Sequence, residues 1–334
     1  MLKNILNKRV TTTSSDTSSN KVSARSRSIY LILAVIGAAM GLSIIAHMIK
    51  FELALDFPVI ISRVLEWGID SSIEWSIIEF GWFFDVISDN LKWVLGKLRD
   101  FLIWIPWPIM MAIIFIIAWR LSSKRVAFMS LIGMIFISSV SLWEATMVTV
   151  AIMLVAVTIA ISLGIPLGVL AARNNLSNTI IRPILDTMQT MPSFVYLVPG
   201  IMLFGLGNVA AILATVLYAI PPCIRLTNLG IRQVDPDVVE AGRSFGSSNM
   251  QILFKIQMPM AIPSIMAGIN QTVMMALAMC TIAAMVGAGG LGIEVLRAMG
   301  QLREGESVIA GVAIVIMAII IDRVLQGYII NRGN

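Results

Sequence analysis

Long apolar runs separated by short polar ones set the plan of this 334-residue chain. Eight of them approach or exceed the ~20 residues that a helix needs to cross a bilayer. They are Ile29 to Ile49, Ile105 to Leu121, Val126 to Trp143, Ala145 to Ala172, Met188 to Leu206, Val209 to Asn228, Ser264 to Val286 and Ser307 to Tyr328. Phe57 to Trp104 changes to an amphipathic pattern, with Ile61, Leu65, Ile69 and Ile73 on one stripe and Phe84, Ile87, Leu91, Val94, Leu98 and Leu102 on another. Gly81 or a neighbour is expected to divide it into two helices. Residues 1–28 are rich in Ser, Thr, Asn, Lys and Arg without apolar periodicity and read as a disordered tail. Ile29 to Ile49 is longer than a signal-peptide core and lacks an A-x-A-like end, so it is expected to remain as a first transmembrane helix.

One polar island interrupts the apolar half of the chain, EAGRSFGSSNMQILFKIQMP over Glu240 to Pro259. Asp235 followed by Pro236 is an N-cap and first helical residue, and predicts a short helix through Glu240 and Phe245. Gly246 stops it, because glycine enters the left-handed region at no steric cost. Ser247 or Ser248 then caps a second helix whose apolar face is Ile252, Leu253 and Ile256, and Pro259 is expected to end it. The expectation is a helix-turn-helix knob outside the bilayer.

Composition agrees with a polytopic membrane protein: 58% of residues are hydrophobic and 13% charged, with a mean hydropathy of +0.90. The net charge is +5, and its placement is more informative than its sum. With a cytoplasmic N-terminus, the inside segments carry Lys3, Lys8, Arg9, Lys21, Arg25 and Arg27, then Arg120, Lys124 and Arg125, then Arg173 and Arg182, then Arg225, Arg232, Arg243 and Lys255. The segment from Lys50 to Asp100 holds nine acids against five bases, a net of −4, and falls outside. This positive-inside pattern puts the Glu240 loop and the C-terminus in the cytoplasm. The acidic, tryptophan-bearing segment is expected on the outer membrane surface or across the outer ends of other helices.

The chemical inventory is sparse. Cys223 and Cys280 both lie in apolar spans, which gives no disulfide framework or metal cluster, and His47 is the only histidine. No phosphate-binding G-x-x-x-x-G-K-[ST] loop occurs, so ATP hydrolysis by this chain is not expected. Gly287, Gly289 and Gly292 match G-x-G-x-x-G but follow a helical span rather than a strand, and read as a helix end and tight turn. Nothing in the charge pattern suits nucleic acid. Gly164, Pro166, Gly168, Pro192, Pro199, Pro221 and Pro222 interrupt the spans and point to a pathway near them.

The polar island resembles the cytoplasmic signature of ABC-importer permeases, E-A-A, three residues, G, nine residues, I-x-L-P. It falls on Glu240, Ala241, Gly242, Gly246, Ile256, Met258 and Pro259, with Gly242 in place of the third small residue and Met258 in place of leucine. RPILDTMQTMPSFVYLVP (182–199), MLFGLGNV (202–209), IPPCIRLTNLGIRQV (220–234), RSFGSSNMQILFKIQMPMAIPSIMAGINQT (243–272) and GGLG (289–292) resemble the ProW-type permeases of glycine betaine/proline betaine ABC importers.

That resemblance implies an all-α polytopic protein with the type I importer fold. Residues 105–334 would form the permease domain, with a coupling loop at 235–262, and 50–104 an extracytoplasmic amphipathic segment. It also implies a permease homodimer in the inner membrane lipid, a cytoplasmic ATPase dimer holding the ATP and Mg²⁺, and an extracytoplasmic binding protein. With six residues after Tyr328, that binding protein is expected as a separate chain. Glu240, Ala241, Gly242, Gly246, Ile256 and Pro259 are then the expected coupling residues. Met191, Pro192, Phe194, Tyr196, Pro221 and Asn270 are candidates for the substrate pathway. An ion-coupled secondary transporter of small organic solutes is the alternative, but such proteins carry coupling acids within spans and internal repeats, whereas the acids here are read near membrane edges. A membrane-embedded enzyme would need a catalytic constellation that the sequence lacks.

Overall fold

The computed structural model describes residues 33–45 and 60–333. The predicted tail, the ends of the first span, His47 and the start of the amphipathic segment lie outside the described residues. Among the described residues all regular structure is helical. They fall into two units, 1–72 and 73–334. In the first, α1 (Leu33–Ile45) is a short apolar helix, exposed along nearly all its length, and α2 (Ile60–Trp104) begins.

α2 is one helix of 45 residues and passes through Gly81 without a break. The expected division is corrected here. A glycine inside a helix costs about 1 kcal/mol, but termination also needs capping or turn chemistry, and Trp82, Phe83 and Phe84 supply none. A Cβ at Gly81 would meet nothing within 4 Å, so no close packing gives the glycine a role either.

In the second unit, Leu91, Leu98 and Leu102 of the second predicted stripe pack against the core, but the buried residues of α2 are Ser88 and Leu95, which lie beside that stripe, and its Val94 is exposed. Trp75, Trp82, Trp93 and Trp104 are exposed. Their spacings of seven, eleven and eleven residues bring them back to one face within about 40° at ~100° per residue. At Ile105 and Pro106 the chain turns by 99° into α3 (Trp107–Leu121).

The rest is α4 (Lys124–Ser139), α5 (Trp143–Arg173), α6 (Asn175–Thr190), a 3₁₀ turn at Ser193–Tyr196, α7 (Leu197–Phe204), α8 (Asn208–Arg232), α9 (Pro236–Ser244), α10 (Asn249–Ile252), α11 (Met258–Ile282), α12 (Leu291–Gly300) and α13 (Glu304–Gly333). Four described runs are long and apolar enough to cross a membrane: α5, α8, Asn249–Val286 and Glu304–Gly327. The bent α2–α3 pair would make a fifth. α3 and α4 carry two more of the predicted spans but are only 15 and 16 residues long. The predicted span from Met188 to Leu206 is not one helix. Proline disfavours the α region for the residue before it, and Met191 is extended (φ −69°, ψ 138°), so α6 stops at Thr190. Pro199 falls in the first turn of α7, where its missing N–H costs no helical bond.

α8 is the centre of the bundle, with α5 on one side and α11 on the other. A Cβ on Gly168 of α5 would lie 2.6 Å from Thr227 Cβ and 2.8 Å from the Ile224 carbonyl oxygen, so only glycine permits this approach. On the other side, a Cβ on Gly268 of α11 would come within 3.2 Å of the Pro222 carbonyl oxygen. Pro221, Pro222 and Cys223 of α8 are buried between these contacts.

The packing of α2 makes a contrast that can be measured. Leu95 is 6% exposed and Trp93 is 65% exposed. Leu95→Glu places a carboxylate in the core at a cost of several kcal/mol and is expected to reduce folded yield sharply, whereas Trp93→Gln is expected to leave it nearly unchanged. Size-exclusion chromatography of the detergent-extracted variants reads both, and equal yields would mean that this face of α2 is not packed.

Candidate functional site

The polar island folds as a compact knob, and each local signal in its sequence has a bond behind it. The Asp235 side chain accepts from the Asp237 N–H at 2.9 Å, with Pro236 as the first residue of α9. At the other end Gly246 has φ +76°. Its N–H donates to the Arg243 carbonyl at 2.9 Å, and the Ser247 N–H donates to the Gly242 carbonyl at 3.1 Å. These two bonds form a Schellman motif. Ser248, rather than Ser247, caps the next helix through a complete capping box: Ser248 Oγ accepts from the Gln251 N–H at 3.3 Å, and Gln251 Oε1 accepts from the Ser248 N–H at 2.8 Å.

Ile252 and Leu253 are buried and Ile256 is partly buried, as the predicted face requires. Gly242 is buried too, and a Cβ there would lie 2.5 Å from Ile256 Cδ1. The third small position of the motif is therefore the seat of the isoleucine fourteen residues later. Glu240 and Ala241 are exposed on the same short helix.

Pro259 does not end the second helix. Residues Leu253–Gln257 form a π turn, with the Met258 N–H bonded to the Leu253 carbonyl, and the helix runs on from Asn249 to Val286. In a regular α-helix proline removes one bond and its ring strikes the carbonyl four residues back. The wider turn just before Pro259 relieves both problems. The knob is consequently continuous with a 38-residue helix that reaches the far end of the bundle.

The pathway candidates are brought together only in part. Tyr196 is 4% exposed, and its hydroxyl donates to the Met188 carbonyl. Its ring meets that of Tyr218 edge to face, with centroids 5.7 Å apart. Met191 packs into the same cluster, along with Met279 of α11. Pro221 is buried in α8, three residues beyond Tyr218. Pro192 and Phe194 are exposed at the break between α6 and α7. Asn270 points elsewhere: its Nδ2 donates to Asp322 of α13 at 3.4 Å.

The sequence pattern that describes the "Binding-protein-dependent transport system inner membrane component" family matches residues 164–332, which include the whole knob. The chain belongs to this family. It is therefore a permease component, not an enzyme or an ion-coupled secondary transporter. The permease is 45% identical over 262 residues to the glycine betaine/proline betaine transport system permease protein ProW of Escherichia coli (strain K12), covering 78% of this chain and 74% of that one. It is also 45% identical over 270 residues to the glycine betaine transport system permease protein OpuAB of Bacillus subtilis (strain 168), covering 80% and 95%. The glycine betaine/carnitine transport permease protein GbuB of Listeria monocytogenes is 41% identical, covering 75% and 91%. A chain of the MetNI methionine ABC transporter, solved in an inward-facing form, shares the fold at a TM-score of 0.50 and 24% identity, over 55% of this permease and 92% of that chain.

Three residues of the permease site escaped the sequence reading. Phe245 is 91% exposed at the knob's turn; a phenylalanine next to a helix-stopping glycine could have been noticed. Tyr218 holds Tyr196, a long-range pairing without a local signature. Asp322 sits inside the apolar run of α13, where Gln326 Nε2 donates to both of its oxygens at 2.7 and 2.8 Å.

The contact between Gly242 and Ile256 can be tested by complementation. Gly242→Ala forces Ile256 aside and is expected to destabilise the knob by about 1–2 kcal/mol. Ile256→Val removes the Cδ1 that clashes, so the double variant is expected to recover most of that loss. Thermal stability of the four proteins as a double-mutant cycle measures the coupling; additive effects would mean that the two residues do not touch.

Proposed function

We propose that the chain is the membrane-spanning subunit of an ATP-driven importer for quaternary-ammonium compatible solutes, with the knob as its coupling element. Phe245 carries the proposal. A phenylalanine 91% exposed on a well-capped knob, beside the exposed Glu240 and Ala241, is an apolar anchor with nothing in its own chain to cover it. Burying an aromatic side chain at an interface supplies the kind of energy that concentrates in hot spots. The reading places the N-terminus, the C-terminus and the knob in the cytoplasm, as the loop charges require, and a cytoplasmic ATPase dimer against two knobs of a permease homodimer. The ATP and Mg²⁺ belong to that ATPase, and this chain holds no cofactor of its own.

Transport then follows from differential stabilisation. ATP closes the ATPase dimer, the knobs move with it, and the helix continuous with each knob carries the displacement through the bundle. A separate extracytoplasmic binding protein delivers the solute to the outward-facing state. ATP and the loaded binding protein need only favour that state over the inward one. The relatives' names support glycine betaine and similar betaines as cargo. The Tyr196–Tyr218 pair and the surrounding methionines present soft, uncharged surface suited to a transient quaternary ammonium, while selection by cation–π attraction belongs to the binding protein.

Gly246→Val tests the coupling. With φ at +76° and nothing within 4 Å of a would-be Cβ, valine meets no clash but carries a backbone penalty of about 1–2 kcal/mol. That is small beside the stability of the packed bundle but enough to alter the angle between α9 and α10. The expected result is normal membrane abundance with lost betaine uptake and reduced copurification of the ATPase, and a milder effect for Gly246→Ala. Wild-type uptake by Gly246→Val at equal abundance would show that the loop is an ordinary connection.

A further inference from the structure

Beside the knob, where α5 and α8 end, lies a cleft of about 320 Å³ into which Arg173, Arg232 and Arg243 converge with Asn249 and Gln257, over an apolar floor that includes Ile252. No carboxylate lines it. Arg232 is held by neutral acceptors: its Nη2 donates to the Ala171 carbonyl at 2.8 Å, its Nε to Asn228 Oδ1 at 2.9 Å, and both terminal nitrogens to Asn175 Oδ1 at 3.1 Å. Arg173 Nη1 contacts the Met250 sulfur at 2.9 Å, and a thioether is a weak acceptor. None of the ion pairs among the described residues includes any of these three arginines. Glu240 shares a neighbouring cleft with Arg243, without an ion pair to it among the described residues.

We infer that this cleft binds a phosphate group, either in the headgroup of an anionic phospholipid or as free inorganic phosphate. Three guanidinium groups around one cavity repel one another, and an anion offsets that repulsion. Their planar forks match phosphate oxygens by paired hydrogen bonds, and the side-chain amides of Asn249 and Gln257 add neutral donors. The cleft lies at the ends of two spanning helices on the side to which the loop charges assign the cytoplasm. Basic pockets between such helices on that side take phospholipid headgroups, and the apolar floor suits the first methylenes of a lipid's acyl chain. Arg232 is committed to joining α8 to α5 and α6, so Arg173 and Arg243 carry the recognition. The inference stands apart from the coupling role of the knob, and its readout is ligand binding rather than ATPase copurification.

The full chain, purified in a neutral detergent, can be titrated with phosphatidylglycerol, phosphatidylcholine and inorganic phosphate and followed by native mass spectrometry. The wild type is expected to hold one more phosphatidylglycerol than the double variant Arg173→Gln/Arg243→Gln, whose affinity at this position falls at least about tenfold. Phosphatidylcholine should bind both alike. Arg173→Lys/Arg243→Lys, which keeps the charge, should retain most of the binding, and this separates loss of a site from loss of folding. Displacement of the extra phosphatidylglycerol by millimolar phosphate would identify free phosphate as a competent ligand; resistance to displacement would identify the lipid. Equal numbers of bound phosphatidylglycerol and phosphate in the wild type and the glutamine variant would overturn the inference.

Discussion

The close approach of α5 and α11 to α8 is the contact on which the rest of the bundle depends. Spanning helices gain little hydrophobic driving force from one another, since lipid tails are as apolar as their side chains, so they associate through tight packing at small residues. Gly168 brings α5 against the Ile224 carbonyl and Thr227, and Gly268 brings α11 against the Pro222 carbonyl. A side chain at Gly168 would separate the backbones, and the separation would extend along both helices. The prolines of α8 lie at this point. Pro221 and Pro222 cannot donate to the helix, and both are fully buried between the flanking helices.

α11 transmits that packing outward. Through the π turn at Leu253–Gln257 it is continuous with α10, and through Gly242 and Ile256 α10 is fixed to α9. The knob is thus seated on the bundle rather than suspended from it. Its turn is set by two hydrogen-bonded motifs and one positive-φ glycine. This chain of contacts is continuous, from α9 through one long helix to the packing against α8. The Tyr196 cluster, which includes Met279 from that helix, lies in its course.

What could be read from the sequence divides by the range of the interaction. Asp235, Gly246 and Ser248 act on backbone groups within a few residues, so their caps were legible, and so was the apolar face at Ile252 and Leu253. Part of the second stripe of α2, Leu91, Leu98 and Leu102, was legible for the same reason, as periodicity is local, but Val94 is exposed and Leu95 is buried in its place. Three features were not. The helix through Gly81 survives because its neighbours lack any stopping chemistry, which a glycine alone does not reveal. Pro259 is absorbed by a wider turn at Leu253–Gln257, which a proline in the sequence does not announce. Asn270 and Asp322 meet across 52 residues, and no spacing rule predicts such a pair. The contact of Gly242 with Ile256 lies between these cases: the resemblance marked both positions, but only the fold shows that one is the seat of the other.

The central claim is that the outward face of α9 meets the energy-supplying subunit. Cys223 and Cys280 are both buried, so a cysteine introduced at the exposed Ala241 would be the dominant reactive thiol. Labelling it with a benzophenone maleimide in membranes that contain the whole transporter, irradiating, and identifying the product by mass spectrometry tests the claim directly. The predicted result is an adduct with the ATP-binding subunit, and no such adduct from Leu302→Cys, a position 88% exposed beyond the end of α12. An ATPase adduct from position 302 with none from position 241 would contradict both the orientation of the chain and the role of the knob.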